Sequence, residues 1–341
     1  MIAAEGPIGL DRYMALCLGH PQHGYYMGRD PFGARGDFVT SPEISQVFGE
    51  LIGVWAIGAW AAMGSPASFN MIELGPGRGT LMSDLLRAAA KAVPAFGQAA
   101  KVHLVEMSPV LRGLQQKTLG SAVQWHARIE DVPEGPGIII ANEFFDAIPI
   151  RQFERRDGQW HERVVGLKDG ELVLGLLPAE IGNGGGNGDI IEWAPARSEI
   201  ARAIGRRLAA APGAALVIDY GHGRTAPGDT LQAMRQHKHV SILHRPGESD
   251  LTSHVDFEAL AKAIIEGGGA IHGLLTQRAF LLAMGLEQRT AMLAAKADVR
   301  TRAILERQMQ RLAAANEMGN LFKVVAATSQ GFATPYPFGR T

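Results

Sequence analysis

The sequence predicts a doubly wound α/β fold, and three observations carry that expectation. Short, continuously apolar runs recur at 69–74, 102–106, around Val123, at 137–142 and at 214–220. Segments of helical character separate them. Runs that are apolar throughout belong to parallel strands buried on both faces, with helices as the crossovers. Third, the first run breaks at once into Gly75-Pro76-Gly77-Arg78-Gly79 and then enters a helix near Thr80.

The elements follow in order. Residues 1–40 are rich in glycine, proline and aromatics and end in GDFVTSPEIS. Asp37, Thr40, Ser41 and Glu43 supply a short capping oxygen followed by first-turn acid, which predicts a helix over 42–63. Its apolar residues run around most of the cylinder, so burial on more than one side is expected. A helix over 80–93 follows the first strand. Ser108-Pro109 then reads as a cap with proline in the first turn. Residues 150–195 break the rhythm: RQFERRDGQWHERVV and GELVLGLLP read as hairpins around Asp157-Gly158 and Asp169-Gly170. GNGGGNGD, with its glycines at 182–188, suits a mobile loop. Together they predict an inserted β element on the ligand-facing edge of the sheet. Later strands are expected at 271–276 and 321–326, and packing helices over 286–318. The implied organisation is an N-terminal helical segment (1–65), a core (66–149 and 212–341) and an insertion (150–211).

Composition limits the function. Of 341 residues, 46% are hydrophobic and 20% charged, as in a core-forming globular chain. Lys+Arg 33 against Asp+Glu 34 leaves a net charge of −1, no footprint for nucleic acid or an anionic membrane. The single Cys17 cannot form an internal disulfide, which favours a reducing compartment. The start MIAAEGPIGLDRYM lacks the pattern of a signal peptide, and the apolar stretch 51–63 is too short to span a bilayer. A cytoplasmic protein is expected. The histidines lack metal-ligand spacing, His237-x-His239 standing isolated, so no metal is expected.

The glycine turn is the most informative segment. A dinucleotide fingerprint would place its third glycine at position 80, which is threonine. The spacing is instead E-x-G-x-G-x-G, with Glu73 at the end of the strand. A carboxylate there repels pyrophosphate and suits a ligand with an ammonium or sulfonium charge, so S-adenosylmethionine is favoured over NAD. Gly75, Pro76, Gly77, Gly79 and Thr80 would cradle it. Glu106, with Met107 beside it, ends the second strand and would accept the ribose hydroxyls. Asp131 would take the adenine amino group, with Ile129 against the ring.

The carboxyl end of the fourth strand carries Asn142-Glu143-Phe144-Phe145-Asp146, where ligands bind in open α/β sheets. Aromatic side chains can wall a methyl-donor pocket and face a cation. Glu143 first and Asp146 second are expected to pair with a cationic acceptor, alongside Asn142. Asp219-Tyr220-Gly221-His222 closes the fifth strand on the same cleft, with His222 a candidate proton acceptor. Thr40, Ser41, Glu43, Phe144, Phe145, Asp219, Tyr220, His254 and Asp256 are further candidates for the substrate cleft.

At these residues the sequence resembles the MidA-like family of class I methyltransferases. The matching pieces are GPIGLDRYM, HGYY, GDFVTSPEISQVFGEL, ELGPGRGTL, HLVEMSP, NEFFDAIP, ALVIDYGH, DLTSHVDF and MGNLFKVV, spread over nearly the whole chain. The resemblance implies a Rossmann-like methyltransferase sheet and S-adenosylmethionine as cofactor, with S-adenosylhomocysteine as product. For the mitochondrial members it implies symmetric dimethylation of an arginine on a respiratory complex I subunit. Those members carry a targeting extension not seen here, so a bacterial chain, or a matrix protein already trimmed, is expected. A protein substrate and a homodimer are compatible with the insertion. Two other readings remain: a non-catalytic, ligand-sensing assembly chaperone, and an NAD(P) oxidoreductase, which Thr80 and Glu73 disfavour.

Overall fold

The computed structural model describes residues 1–28, 30, 40–182 and 184–339; Asp37 lies outside them. Helices α1 (Ile2–Glu5), α2 (Leu10–Gly19) and α3 (Tyr25–Gly28) open the chain, with strand β1 (Ile8–Gly9) between the first two. The helix expected over 42–63 is two, α4 (Ser41–Ile44) and α5 (Gln46–Ala62). Ser45 breaks it: at φ −155° its backbone is extended, and its hydroxyl caps α5 by accepting the Val47 N–H at 3.3 Å.

The core then follows the expected alternation. β2 (Phe69–Leu74) leads through the glycine turn to α6 (Thr80–Ala92) and α7 (Pro94–Ala99), then β3 (Ala100–Val105), α8 (Pro109–Leu119), β4 (Gln124–His126) and β5 (Gly137–Asn142). The inserted strands are β6 (Arg151–Arg156), β7 (Gln159–Lys168), β8 (Glu171–Ala179) and β9 (Ile190–Trp193). After α9 (Pro195–Ala210) the core resumes with β10 (Gly213–His222). Strands β11 (Gln232–Arg235), β12 (Lys238–Val240) and β13 (Asp250–Thr252) make a small separate sheet. β14 (Val255–Asp256), α10 (Phe257–Glu266), β15 (Ala270–Thr276), α11 (Gln277–Ala283), α12 (Leu286–Ala294), α13 (Val299–Ala313), α14 (Met318–Leu321) and β16 (Phe322–Thr328) complete the chain.

The main sheet runs in the order β15-β16-β10-β5-β2-β3-β4, with β14 paired to the end of β10. It is mixed rather than wholly parallel, because β16 is antiparallel to both β10 and β15. The chain leaves β15 and, after α11 to α14, re-enters the sheet at the same edge. Apolar composition marks a buried strand but not its direction. One face, with Met71, Ile140, Leu216 and Val324, packs on α5, α6 and α11 to α13. The other, with Ile72, Ile139, Val217 and Val325, packs on α9 and α10. Helix α9 was grouped by sequence with the insertion, yet Ala201, Ile204 and Leu208 bury it on the core sheet.

The insertion is anchored at both ends. β7 pairs along its length with β8, and its other edge is shared by β6 and the N-terminal β1. Both hairpin turns are left-handed, Asp157-Gly158 at φ 52° and 76° and Asp169-Gly170 at φ 54° and 85°, the backbone that tight hairpins require. The glycine-rich loop, expected to be mobile, is fastened to the first hairpin. The Gly184 carbonyl accepts from Arg155 at 2.6 Å and from the Trp160 indole at 3.2 Å.

Helix α9 sits close on α10. At Gly205 an added Cβ would overlap the Ile264 carbonyl oxygen and come within 2.9 Å of the Gly267 Cα. Gly205→Ala is therefore expected to cost about 1–3 kcal/mol by overpacking. A chemical denaturation midpoint reads this loss, and an unchanged midpoint would contradict the contact.

Candidate functional site

A cavity of about 1030 Å³ opens at the carboxyl ends of the core strands. Its floor is the glycine turn. Gly75, Gly77 and Gly79 have φ of 63°, 54° and 81°, left-handed values that side chains beyond glycine rarely adopt. A Cβ at Gly75 would stand 2.8 Å from the Phe144 ring, so the loop after β5 closes on this turn. Leu74, Gly75 and Gly77 face the cavity, whereas Pro76, Gly79 and Thr80 shape the turn without lining it. Thr80 donates instead to Glu43 at 2.5 Å, and Glu43 also accepts from Arg78 at 3.1 Å. Thr40 and Glu43, expected in the cleft, thus lie in α4 and its entry, off the cavity wall.

Glu106 and Met107 line the wall beyond β3. Burial raises the Glu106 carboxyl, and the Ser108 N–H (2.8 Å) and Gln115 amide (3.3 Å) oppose that rise. Gln115, missed in the sequence, also donates to the Gly77 carbonyl at 2.8 Å and so ties the glycine turn to the Glu106 carboxylate. Ile129 lines the wall as expected, but Asp131 does not. Its carboxylate accepts the Arg128 N–H at 3.1 Å and caps the short turn at Ile129–Asp131; Glu130 faces the cavity instead.

Glu73 is 3% exposed and lies behind the cavity wall. Its Oε2 has no hydrogen-bond partner among the described residues, and burial pushes the carboxyl up to about 8. Strand alternation puts Glu73 and Asn142 on the α5–α6 face of adjacent strands β2 and β5. The Ser41 hydroxyl and Asn142 Oδ1 are likewise buried without partners among the described residues. None of the three residues lines the cavity, so these oxygens form an electronegative layer behind its wall, one that favours positive charge in the cavity through the field rather than by contact.

The loop after β5 supplies two carboxylates. Glu143 has φ 50°, a constrained backbone for a non-glycine residue, and it lines the cavity. Its Oε1 accepts the Ser41 N–H at 2.8 Å and the Asn142 amide at 3.1 Å. Burial, with Asp146 adding repulsion, still lifts it to about 7. Asp146 also lines the cavity at 6% exposure, and its Oδ1 is unpartnered among the described residues. Phe144 faces the cavity, while Phe145 is fully buried in the core.

Asp219 is buried under this loop rather than on the cleft. Its Oδ2 accepts the N–H groups of Phe145 (3.0 Å) and Asp146 (3.2 Å), fixing the turn. Burial and the carboxylates of Asp146 and Glu143 push Asp219 well above the ordinary carboxyl range. The opposing cation is Arg197 of α9, 5% exposed, which donates to the carbonyls of Asp146 (3.0 Å) and His254 (2.7 Å) and to the Ser253 hydroxyl (2.6 Å). It stands in APARSEI among other helix-surface arginines, with no sequence signal to single it out.

Tyr220 and His254 reach the wall as expected; His222 and Asp256 do not. His222 lies at the end of β10, paired with β14. Asp256 caps α10 through the Ala259 N–H at 3.0 Å and accepts the Thr225 hydroxyl at 2.6 Å.

The Glu73 carboxyl carries a stability consequence. With its ordinary value at 4.5 and its folded value near 8, the folded chain holds a proton that the unfolded chain releases. Stability is therefore lost as pH rises from about 4.5 through 8, at about 1.4 kcal/mol per unit. In the ligand-free protein, Glu73→Gln should raise the thermal midpoint more at pH 8.5 than at pH 5.5. Equal effects at both would contradict the buried, unpaired carboxyl.

Comparisons with known proteins agree with this geometry. Residues 51–274 match a family model described as "putative S-adenosyl-L-methionine-dependent methyltransferase". The chain is 36% identical over 365 residues to the Drosophila melanogaster "protein arginine methyltransferase NDUFAF7 homolog, mitochondrial", covering 95% of this chain and 82% of that one. With the human NDUFAF7 protein of the same description it shares 36% over 333 residues, 87% and 74% of the two chains. Among solved structures, a COG1565 superfamily member from Burkholderia thailandensis, bound to S-adenosyl-homocysteine, superposes with a TM-score of 0.83 at 29% identity, covering 96% and 89%. The chain thus belongs to this family of S-adenosylmethionine-dependent methyltransferases, with S-adenosyl-L-methionine as its cofactor.

Proposed function

We propose that the protein is an arginine N-methyltransferase acting on another protein, with a subunit of respiratory complex I as the acceptor. The observation that carries this reading is the pair Glu143 and Asp146, two cavity-lining carboxylates on one short loop beside the glycine turn. The NDUFAF7 relatives, described as protein arginine methyltransferases, support the arginine part of this reading.

Bound S-adenosylmethionine supplies a methyl carbon already activated by the sulfonium charge. The chain's own residues then have to present a nucleophile. An arginine guanidinium is planar, cationic and delocalised at neutral pH, so its nitrogens are poor nucleophiles. A carboxylate held against one edge draws the positive charge away from the attacking nitrogen and orients it. On this reading Glu143 takes that role, supported by its geometry: Oε1 is committed to Ser41 and Asn142, which fixes the carboxylate while it faces the cavity. With the acceptor so held, its nitrogen would displace the sulfur from the methyl carbon, the nitrogen–carbon bond forming as the carbon–sulfur bond breaks and the electron pair staying on sulfur. The proton lost from nitrogen passes to a carboxylate of the pair.

Glu143 must be ionised to hold the cation. With its carboxyl near 7 and Asp146 and Asp219 beside it, kcat/KM should rise with pH through about 7 and level off above. Labelled S-adenosylmethionine and purified complex I subunits provide the assay. Glu143→Gln should cut turnover by about 10²-fold or more, remove the pH limb and leave cofactor binding intact. No label on arginine of any subunit would defeat the reading, and full activity in Glu143→Gln would remove Glu143 from the chemistry.

A further inference from the structure

The cavity is lined well beyond the cofactor elements at one end of it, by residues from β10, β16 and the His254 segment. Strand order divides it. The glycine turn, Glu106 and Ile129 belong to the β2–β3–β4 half of the sheet, and the loop with Glu143 and Asp146 leaves the central β5. Across that loop, on the β10–β16 side, three aromatic rings line the same cavity: Tyr220, His254 and Phe322. Tyr220 and Phe322 are direct cross-strand partners, with ring centroids 5.4 Å apart at 64°. His254 meets Tyr220 edge-on, at 5.5 Å and 84°. Phe322 stands in MGNLFKVV, one of the pieces that carry the family resemblance, though the sequence assigns it no role in the site.

We propose that Tyr220, His254 and Phe322 form the aromatic wall of the slot that receives the acceptor's planar guanidinium, with the cavity-lining Asp146 carboxylate at its edge. This assignment rests on the protein-arginine reading and adds to it the residues that select the acceptor side chain.

Three observations converge on the slot. Asp146 is 94% buried by its 6% exposure, lines the cavity, and leaves Oδ1 without a partner among the described residues. A buried carboxylate oxygen left unpaired is costly unless a ligand supplies a donor. A guanidinium presents five N–H donors in a plane, together with a flat face that packs on aromatic rings. The Tyr220 hydroxyl lies against the Asp146 carboxylate and favours its ionised form. Burial holds His254 down, so that ring is uncharged and does not repel a cation.

The slot is also held in place. The His254 N–H donates to the Thr230 hydroxyl at 2.9 Å, and its carbonyl accepts from Arg197 at 2.7 Å. Tyr220 and Phe322 are fixed by the register of β10 and β16. A lysine ammonium offers three donors on a compact head and no flat face. The same walls should therefore bind it more weakly.

The test uses the full chain saturated with S-adenosylhomocysteine and titrated with Nα-acetyl-L-arginine amide or Nα-acetyl-L-lysine amide, read by ligand-observed NMR. The arginine amide should bind more tightly than the lysine amide, and Phe322→Leu should weaken it about tenfold while affinity for S-adenosylhomocysteine stays the same. His254→Ala, at a half-buried position, should show the same selective loss and serves if Phe322→Leu does not fold. No binding of the arginine amide, equal binding of both amides, or unchanged affinity in the variants would overturn the slot. The two claims fail separately. Guanidinium binding with no protein arginine methylated sinks the functional reading and leaves the slot standing. Arginine methylation that Phe322→Leu or His254→Ala leaves unimpaired sinks the slot and leaves the reading.

Discussion

The site depends on negative charge buried with too little positive charge to answer it. Glu73, Glu143, Asp146 and Asp219 gather at the carboxyl ends of β2, β5 and β10, and burial raises each above the ordinary carboxyl range. Arg197 compensates Asp146 and Asp219 from α9. Neither Glu73 nor Glu143 forms an ion pair among the described residues, and burial dominates both. Isolated buried charge is costly and neutralises by taking up protons. A cationic cofactor reverses that cost on arrival. The same imbalance would favour the cationic acceptor proposed above.

The fold exists to hold that imbalance in place. The doubly wound sheet buries the strands on both faces and brings their ends to one rim. Asp219 pins the loop after β5 through two backbone N–H groups, and Arg197 ties the same loop to the Ser253–His254 segment. Helix α4 joins the two halves of the site: Glu43 holds the glycine turn through Arg78 and Thr80, while the Ser41 N–H holds Glu143. The small sheet and the N-terminal helices complete the wall. Tyr26 donates to Asp250 at 2.9 Å, and its carbonyl accepts from the Ser108 hydroxyl at 2.6 Å.

Much of this was legible in the residues, and the failures share a cause. Strands β2, β3, β5 and β10 announce themselves because buried strands are largely apolar, and the E-x-G-x-G-x-G spacing points to the cofactor that the comparisons bear out, although Glu73 itself lies behind the cavity wall. Ser108 and the two Asp-Gly turns read correctly because capping and left-handed backbone are local chemistry. What depends on distant contacts did not read. Ser45 interrupts a segment whose apolar pattern runs on unbroken, and β16 reverses without a change in composition. Asp131 and Asp256 have the residue type of ligands yet serve as caps, a choice made by backbone geometry. Arg197 enters the site from α9 with nothing in its neighbours to mark it, and Phe322, though inside the matching piece MGNLFKVV, carries no residue type that announces a role in the site.

The central claim is that carboxyls protonated by burial give up protons when positive charge enters. Calorimetric titration of S-adenosylmethionine at pH 7, in two buffers of different ionisation enthalpy, counts the protons exchanged on binding. The account predicts net proton release, larger for S-adenosylmethionine than for S-adenosylhomocysteine, which lacks the sulfonium charge. Binding with no proton released, or with protons taken up, would contradict it.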